Sequence, residues 1–435
     1  MEVFWLKNRL VAGVGRRVIT PPMGLPMAGF AARQVGCTGV HDDLYAKALL
    51  LANGRSTVVL LCLDILWINQ LLTEAIRDDI TDETGIPGDN IMICTSHNHS
   101  GPDLDDPKCS SWLPNFRDQV VGAVVDAWQS KTEALVGVGS THVHGIGVNR
   151  RGKNIVDSSV GVIKVERGGA YPDAVVVNYT CHAVVLGPDN LLISADYPGY
   201  AQRGIETALR KKETVALFTN GAAGDINTGH SPDACGIGAF TPGRTYERAE
   251  ELGTRLADVV LTALPGIQTR DEIELGAVRV DWAADYRTDL GTEEEIMTRI
   301  MQLEEFIANK YGEHDEEWTQ ASIELMYKRD VLGNVKEANA AKCHRRVTEI
   351  QAIRIDDAVL VALPGEVFVQ LGLVIKEASP FPFTFVAGYA NDNLGYMPTA
   401  EAFTEGGYEV TTAKFAKETG AQLVQVAGQC LQRLI

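Results

Sequence analysis

His97 and His99 stand two residues apart in Cys94-Thr95-Ser96-His97-Asn98-His99-Ser100-Gly101-Pro102, directly after the apolar run Ile91-Met92-Ile93. Neutral imidazole is the commonest metal ligand among side chains. Residues two apart on a strand share a face, so both rings can address one site at the strand's end. The following Ser-Gly-Pro stops the strand. Three more apolar runs exit into groups able to do chemistry. Val175-Val176-Val177-Asn178-Tyr179-Thr180-Cys181 reaches His182, and Leu363-Pro364-Gly365 reaches Glu366. The run ending at Ala387 continues through Gly388-Tyr389-Ala390-Asn391-Asp392-Asn393-Leu394-Gly395 to Tyr396. In open α/β sheets, sites gather where strands end. Two histidines, a carboxylate and an optional phenol suit Zn2+, with one position left for water or substrate. Taken singly, His182 also reads as a core histidine and Pro-Gly-Glu as a turn.

The elements that would position these groups alternate along the chain. Thr57 to Leu63 is a continuous apolar run, as a strand buried on both faces would be. Leu71 to Thr84 has helical spacing, with Leu72, Ala75, Ile76 and Ile80 on one face, and Phe116 to Trp128 is a second helix. Val175 to Asn178 and Val215 to Phe218 read as strands, Pro198 to Lys211 and Tyr246 to Leu264 as helices. The expected class is α/β, a sandwich around a mixed sheet. At Thr292-Glu293-Glu294-Glu295 a capping box opens a charged helical stretch to about Lys342, broken near Lys310-Tyr311-Gly312. Strands resume at Val347, then Val359 to Leu363 and Phe383 to Ala387. The expectation is one hydrolase domain over residues 1–435 with a helical insertion at about 292–342, whose acidic start is a solvated face.

Composition narrows the partners. The 435 residues carry a net charge of −18, which argues against nucleic acid and anionic membrane, since both need basic surfaces. Met1 to Arg9 holds no apolar segment of the kind a signal peptide requires, and no window approaches the ~20 apolar residues of a membrane span. The expected compartment is the cytoplasm. The eight cysteines (37, 62, 94, 109, 181, 235, 343, 430) include no Cys-x-x-Cys, which fits reduced, mostly buried thiols. Gly13-Val14-Gly15 lacks the third glycine of a dinucleotide loop. His142 and His144, alternating on one strand, read as structural. His41, Asp42, Asp43, Asp64 and Asp196 are candidates for carboxylate or imidazole support behind a metal.

Together these fragments resemble the neutral/alkaline ceramidase family of zinc amidases. The resemblance extends to Arg17-Val18-Ile19-Thr20-Pro21-Pro22-Met23-Gly24-Leu25-Pro26-Met27-Ala28-Gly29, to Val40-His41-Asp42-Asp43-Leu44-Tyr45-Ala46-Lys47-Ala48-Leu49, and to Ser100-Gly101-Pro102 after the histidines. It runs from about Ala12 to about Tyr408, apart from 292–342. It implies His97, His182, Glu366 and Tyr396 as zinc ligands and His99 as the catalytic histidine. It also implies Arg150, in Gly147-Val148-Asn149-Arg150, as a substrate-facing arginine. Tyr408, in Gly407-Tyr408-Glu409, would hydrogen-bond near the scissile amide, and Phe403 stands where many members have a further tyrosine.

Three departures bear on the substrate. Asn227, in Gly224-Asp225-Ile226-Asn227-Thr228-Gly229, stands where the family has a serine important for ceramidase activity. No secretion or membrane-entry signal is expected from Met1 to Arg9, and no carboxy-terminal β-sandwich of the family's kind is expected by Ile435. The resulting expectation is a zinc hydrolase cleaving an amide of a small soluble molecule by metal-activated water, with Asn227 orienting the substrate. Little ceramide turnover is expected. The same site used on an ester or lactone, and a zinc-stabilised binding protein without turnover, are the alternatives. No oligomeric state follows from the sequence.

Overall fold

The long apolar runs form three mixed sheets whose inner faces share one core. The computed structural model of the protein describes residues 9–169, 171–209, 214–310 and 315–435. Met1 to Asn8, the Lys211 end of the helix expected from Pro198, and the Tyr311-Gly312 break lie outside these described residues. In the first sheet, β1 (Val11–Val18), β2 (Tyr45–Ala52) and β3 (Thr57–Leu63) are antiparallel neighbours, and β4 (Ile91–Thr95) runs parallel to β3. In the second, β5 (Leu135–His142), β6 (Ser159–Glu166) and β7 (Ala174–Tyr179) are antiparallel, and β8 (Val215–Asn220) is parallel to β7. The third sheet repeats the plan: β9 (Leu275–Asp285), β10 (Arg345–Ile355) and β11 (Ala358–Ala362) are antiparallel, with β12 (Phe383–Ala387) parallel to β11.

Strand alternation explains the layering. Val58, Leu60, Cys62, Met92 and Cys94 turn inward to meet Val176, Leu217, Leu360 and Phe385 in the shared core. Val59, Leu61, Leu63, Ile91 and Ile93 turn outward, under α1 (Gln70–Thr84) and α2 (Leu113–Gln129). The second sheet is covered by α3 (Asp196–Ala208) and α4 (Tyr246–Ala263). A hairpin of α5 (Glu293–Asn309) and α6 (Glu316–Ala340) is inserted between β9 and β10 of the third sheet, which α7 (Val369–Ala378) and α8 (Thr419–Gln432) cover. The α/β class is as expected. The single mixed sheet of the sequence reading is instead three, because an apolar run shows burial on both faces without showing its neighbour.

Gly13 and Gly15 are packing residues, in keeping with the rejection of a dinucleotide loop. A Cβ at Gly13 would lie 1.8 Å from the Ala127 carbonyl oxygen, and one at Gly15 1.9 Å from that of Ala123. Gly13→Ala should therefore force α2 off β1 and cost about 1–3 kcal/mol, the range for overpacking. The check is a lower urea midpoint at unchanged slope.

The stretch after Thr292 is a helical pair. Thr292 and Glu295 form the expected capping box, the Thr292 N–H donating to the Glu295 carboxylate at 2.9 Å. Ile296, Ile300 and Leu303 of α5 pack on Ala321, Leu325, Val331 and Val335 of α6. Among the described residues no helix is long and apolar enough to cross a membrane. Seven of the eight cysteines are buried, Cys343 is exposed, and all are free thiols.

Candidate active site

Each of the three parallel strand pairs ends at one edge of the molecule, and the groups singled out in the sequence leave from those ends. The aiming of the histidine loop differs from expectation. β4 stops at Thr95, and His97 lies beyond it in the left-handed region with φ of 58°, so strand alternation does not orient the two rings. The loop's backbone does. Asn98 N–H donates to the Ile65 carbonyl at 3.2 Å, and His99 N–H to that of Ala183 at 3.3 Å. The Asn98 amide donates to the Ser194 carbonyl at 2.6 Å. Gly29 is required opposite: its φ is +100°, and a Cβ there would sit 2.4 Å from His99 Nδ1.

His97, His99 and His182 converge, one ring nitrogen of each lying within 4.8 Å of the others. Each Nδ1 faces a backbone carbonyl: His97 that of Leu66 at 3.1 Å, His99 that of Gly29 at 3.0 Å, His182 that of Ala223 at 2.6 Å. A carbonyl only accepts, so Nδ1 carries the proton and Nε2 keeps the lone pair, a tautomer assigned from these partners. His97 Nε2 and His99 Nε2 are buried and unpartnered. Glu366 Oε2 lies 3.1 Å from His182 Nε2 and 3.5 Å from His97 Nε2. Burial, reinforced by the neighbouring cations and imidazoles, pushes the His99 pKa well down and that of His182 to about 4. Burial opposes the Glu366 charge, but His97 and His182 outweigh it and hold the carboxyl well below its usual range. These histidines therefore form a cluster that could hold a metal ion, and the orphaned nitrogens fit one.

Support behind the rings comes from the carbonyls, not from the acidic residues expected. His41 contacts the Tyr200 hydroxyl at 3.0 Å and stacks on Tyr246. Asp42 holds Arg203, and Asp43 accepts from Thr20. Asp64 accepts from Tyr45 N–H and Gln202, and Asp196 from the N–H groups of Leu186 and Tyr197. Tyr389, also left-handed at φ 55°, stacks on His97 with ring centres 3.8 Å apart. His142 ends β5, His144 lies past it, and both are exposed.

A second set of groups adjoins the histidines. Glu366 and Tyr396 are register partners in a two-residue parallel ladder. Arg150 donates from Nη2 to the Tyr396 hydroxyl at 3.0 Å and to the Gly224 carbonyl at 2.8 Å. The Tyr408 ring lies 5.5 Å from that of Tyr396, and the Arg150 guanidinium is 5.9 Å from its centre. Asn227 is buried, and both ends of its amide serve its own loop: Nδ2 donates to the His230 carbonyl at 2.8 Å, and Oδ1 accepts from Gly229 N–H at 2.8 Å. Ser231 caps the short helix Pro232–Gly236, and Thr228 Oγ1 is buried without a partner. Phe403 is half-buried with Arg287 over its ring at 5.4 Å. His97, His99, His182, Glu366, Arg150, Tyr396, Tyr408 and Asn227 all line one cavity of about 720 Å³.

Sequence reasoning passed over Glu409, which accepts from Arg150 Nε at 2.7 Å and from Arg151 Nη1 at 2.8 Å while only 2% of its side chain is exposed. Its one visible signal is adjacency to Tyr408. Burial raises the Glu409 pKa, but Arg150 and the hydrogen bonds more than offset this, leaving it lowered. Its contribution to stability is thus present above the unfolded value of about 4.3 and lost as pH falls through the folded value. Glu409→Gln should flatten that acid limb of a stability-against-pH curve measured by urea unfolding.

Residues 10–239, just over half of the chain, match the family described as neutral/alkaline non-lysosomal ceramidase, N-terminal. The neutral ceramidase of Mycobacterium tuberculosis is 22% identical over 94% of this chain and 74% of its own. Neutral ceramidase B of Dictyostelium discoideum is 20% identical over 92% and 69%. The crystal structure of the neutral ceramidase from Pseudomonas aeruginosa superposes with a TM-score of 0.76 at 19% identity, covering 98% of this chain and 75% of that one. A ceramidase complexed with C2 gives 0.73, also at 19%, covering 98% and 76%. At such identities the structural likeness is one of fold.

Proposed function

The chain belongs to the neutral/alkaline non-lysosomal ceramidase family, and from that premise we propose that it is a zinc-dependent hydrolase cleaving an amide bond of a small polar substrate. The observation that carries this is the pair of buried, unpartnered Nε2 atoms of His97 and His99, beside His182 and the Glu366 carboxylate, at the base of the cavity. His97, His182 and Glu366 would hold the ion, with Tyr396 beside them. Zinc bound there would polarise a carbonyl and acidify a water. Residues 1–435 act as one hydrolase domain, with the helices at about 292–342 as its insertion.

The remaining groups divide the work. His99 has a free lone pair, and its Nδ1 is anchored on Gly29. It would take a proton on Nε2 and pass it toward the leaving nitrogen. Arg150 and Tyr408 hold the carbonyl oxygen as it gains charge, Arg150 being kept in place by Glu409. Removing one such donor typically costs about 10²–10³ in rate. Asn227 shapes the loop from 227 to 230 at the cavity wall. With Ser231 committed to a cap, water is the attacking group and no acyl-enzyme forms; mass spectrometry after quenching should find none on Thr228 or Ser231.

The test is hydrolysis by the zinc-loaded protein of matched amides, esters and lactones, with long-chain ceramide alongside. Turnover of small amides, abolished by chelation and restored by zinc, is the expected result. Ceramide should be a poor substrate, because Asn227 replaces the family's loop serine and charged side chains line the cavity. Ceramide turnover exceeding that of every small amide would overturn the substrate assignment. Turnover of esters or lactones alone would overturn the amide assignment.

A further inference from the structure

α6 carries a stripe that faces the cavity opposite the one packed on α5. Met326, Asp330, Asn334 and Glu337 recur at helical spacing and line the cavity. The place of Asp330 is fixed by its neighbours one turn away on either side. Tyr327 lies with its ring 5.9 Å from that of Tyr408, and the Asn334 amide donates to the Thr412 carbonyl at 2.9 Å. Both contacts reach the short helix Tyr408–Thr412, so Asp330 opens into the cavity beside Tyr408.

The charges of this cavity do not balance. Every cation on its lining has a carboxylate partner: Arg150 has Glu409 at 2.7 Å, Arg329 has Glu304 at 2.7 Å, Arg346 has Asp392 at 3.1 Å and Lys414 has Glu337 at 2.8 Å. Of the carboxylates, Glu366 faces the histidines and Asp105 accepts from Trp67 and Asn69. Asp103 accepts from the backbone N–H groups of Asp105 and Asp106. The Asp330 carboxylate has no hydrogen bond and no ion pair among the described residues. It is exposed on the cavity wall, and Lys414 is the one cation whose charge acts on it. An unpaired carboxylate on a cavity wall is free to accept a charge-assisted hydrogen bond from a ligand cation.

We propose that Asp330 is the specificity residue of this cavity and that the substrate is an amide whose far end carries an ammonium group, seated on the Asp330 carboxylate. The inference rests on the amide-hydrolase reading for the scissile bond, but the recognition step is separable from turnover. The other wall is consistent with a chain linking the two ends: Met27, Phe30 and Trp67 give apolar contact along it. Complementary charge of this kind selects partners more than it adds raw affinity.

The experiment uses the purified full chain and three matched series of graded length: N-acetyldiaminoalkanes, the uncharged N-alkylacetamides, and acetamidoalkanoates. Binding is measured by calorimetric titration, and turnover separately by product chromatography. Wild-type protein should bind the best cationic member at least about tenfold more tightly than its uncharged counterpart, the scale of one charge-assisted hydrogen bond. Asp330→Asn should erase the difference, and Asp330→Lys should transfer the preference to the acetamidoalkanoate. Equal binding of cationic and uncharged series by wild type, or a cationic preference that survives Asp330→Asn, overturns the proposal. Cationic selectivity without cleavage of any amide would refute the amide-hydrolase reading and leave the Asp330 site standing. Cleavage without selectivity would do the reverse.

Discussion

Alanine at His97 or at His182 is expected to leave the protein folded, strip it of zinc and bring amide hydrolysis to background. Each ring is held by a carbonyl behind it and offers Nε2 to the Glu366 carboxylate, at 3.5 and 3.1 Å. Losing a group that only supports a ligand typically costs about 10–100-fold in metal affinity or activity; losing a ligand should cost more. The fold should survive, because both positions lie past the strand ends, outside the shared core of the three sheets. Elemental analysis of the purified variants is the measurement, with His142→Ala as a control at an exposed histidine. Wild-type protein and the control should carry about one equivalent of zinc, as a single mononuclear site requires. Full metal retention in both His97→Ala and His182→Ala would sink the ligand assignment.

His99→Ala should behave differently: zinc retained, kcat for a small amide lower by about 10²–10⁴, the range for general acid–base catalysis. The two roles open to His99 predict opposite metal contents. The three histidines cluster closely enough for all to bind, but the Glu366 carboxylate sits against His97 and His182, and the His99 ring is 5.9 Å from that of His182. With the ion held by His97, His182 and Glu366 as proposed, His99 would stand to one side and carry a proton. Retained zinc with unchanged amide turnover would refute this role. For an ester, whose leaving oxygen needs less help from a proton, the loss should be smaller.

The strand exits were legible because buried strands are apolar and stop abruptly, so a histidine or glutamate directly after one stands out. All four carry their groups into one cavity from three different sheets, an arrangement no apolar run reveals, since Val175 to Asn178 reads the same whichever strand lies beside it. The left-handed turn at His97 had no signal either. A histidine tolerates that conformation without announcing it, and the strand rule gave the right destination by the wrong route. Carbonyl support from Leu66, Gly29 and Ala223 was invisible for a simpler reason: every residue has a carbonyl. Glu409 and Asp330 were missed because acids on helices read as solvated. Only the fold shows that one stripe of α6 faces the cavity, where Asp330 is without a partner, while its other stripe packs on α5.

Zinc at the meeting point of His97, His182 and Glu366 is tested most directly by a crystal structure of the zinc-loaded protein, with anomalous scattering recorded on both sides of the zinc absorption edge. One strong peak is expected, within bonding distance of His97 Nε2, His182 Nε2 and the Glu366 carboxylate, with the Tyr396 hydroxyl beside it and His99 Nε2 outside the coordination sphere. No peak in this cavity, or a peak bonded to His99 in place of Glu366, would contradict it.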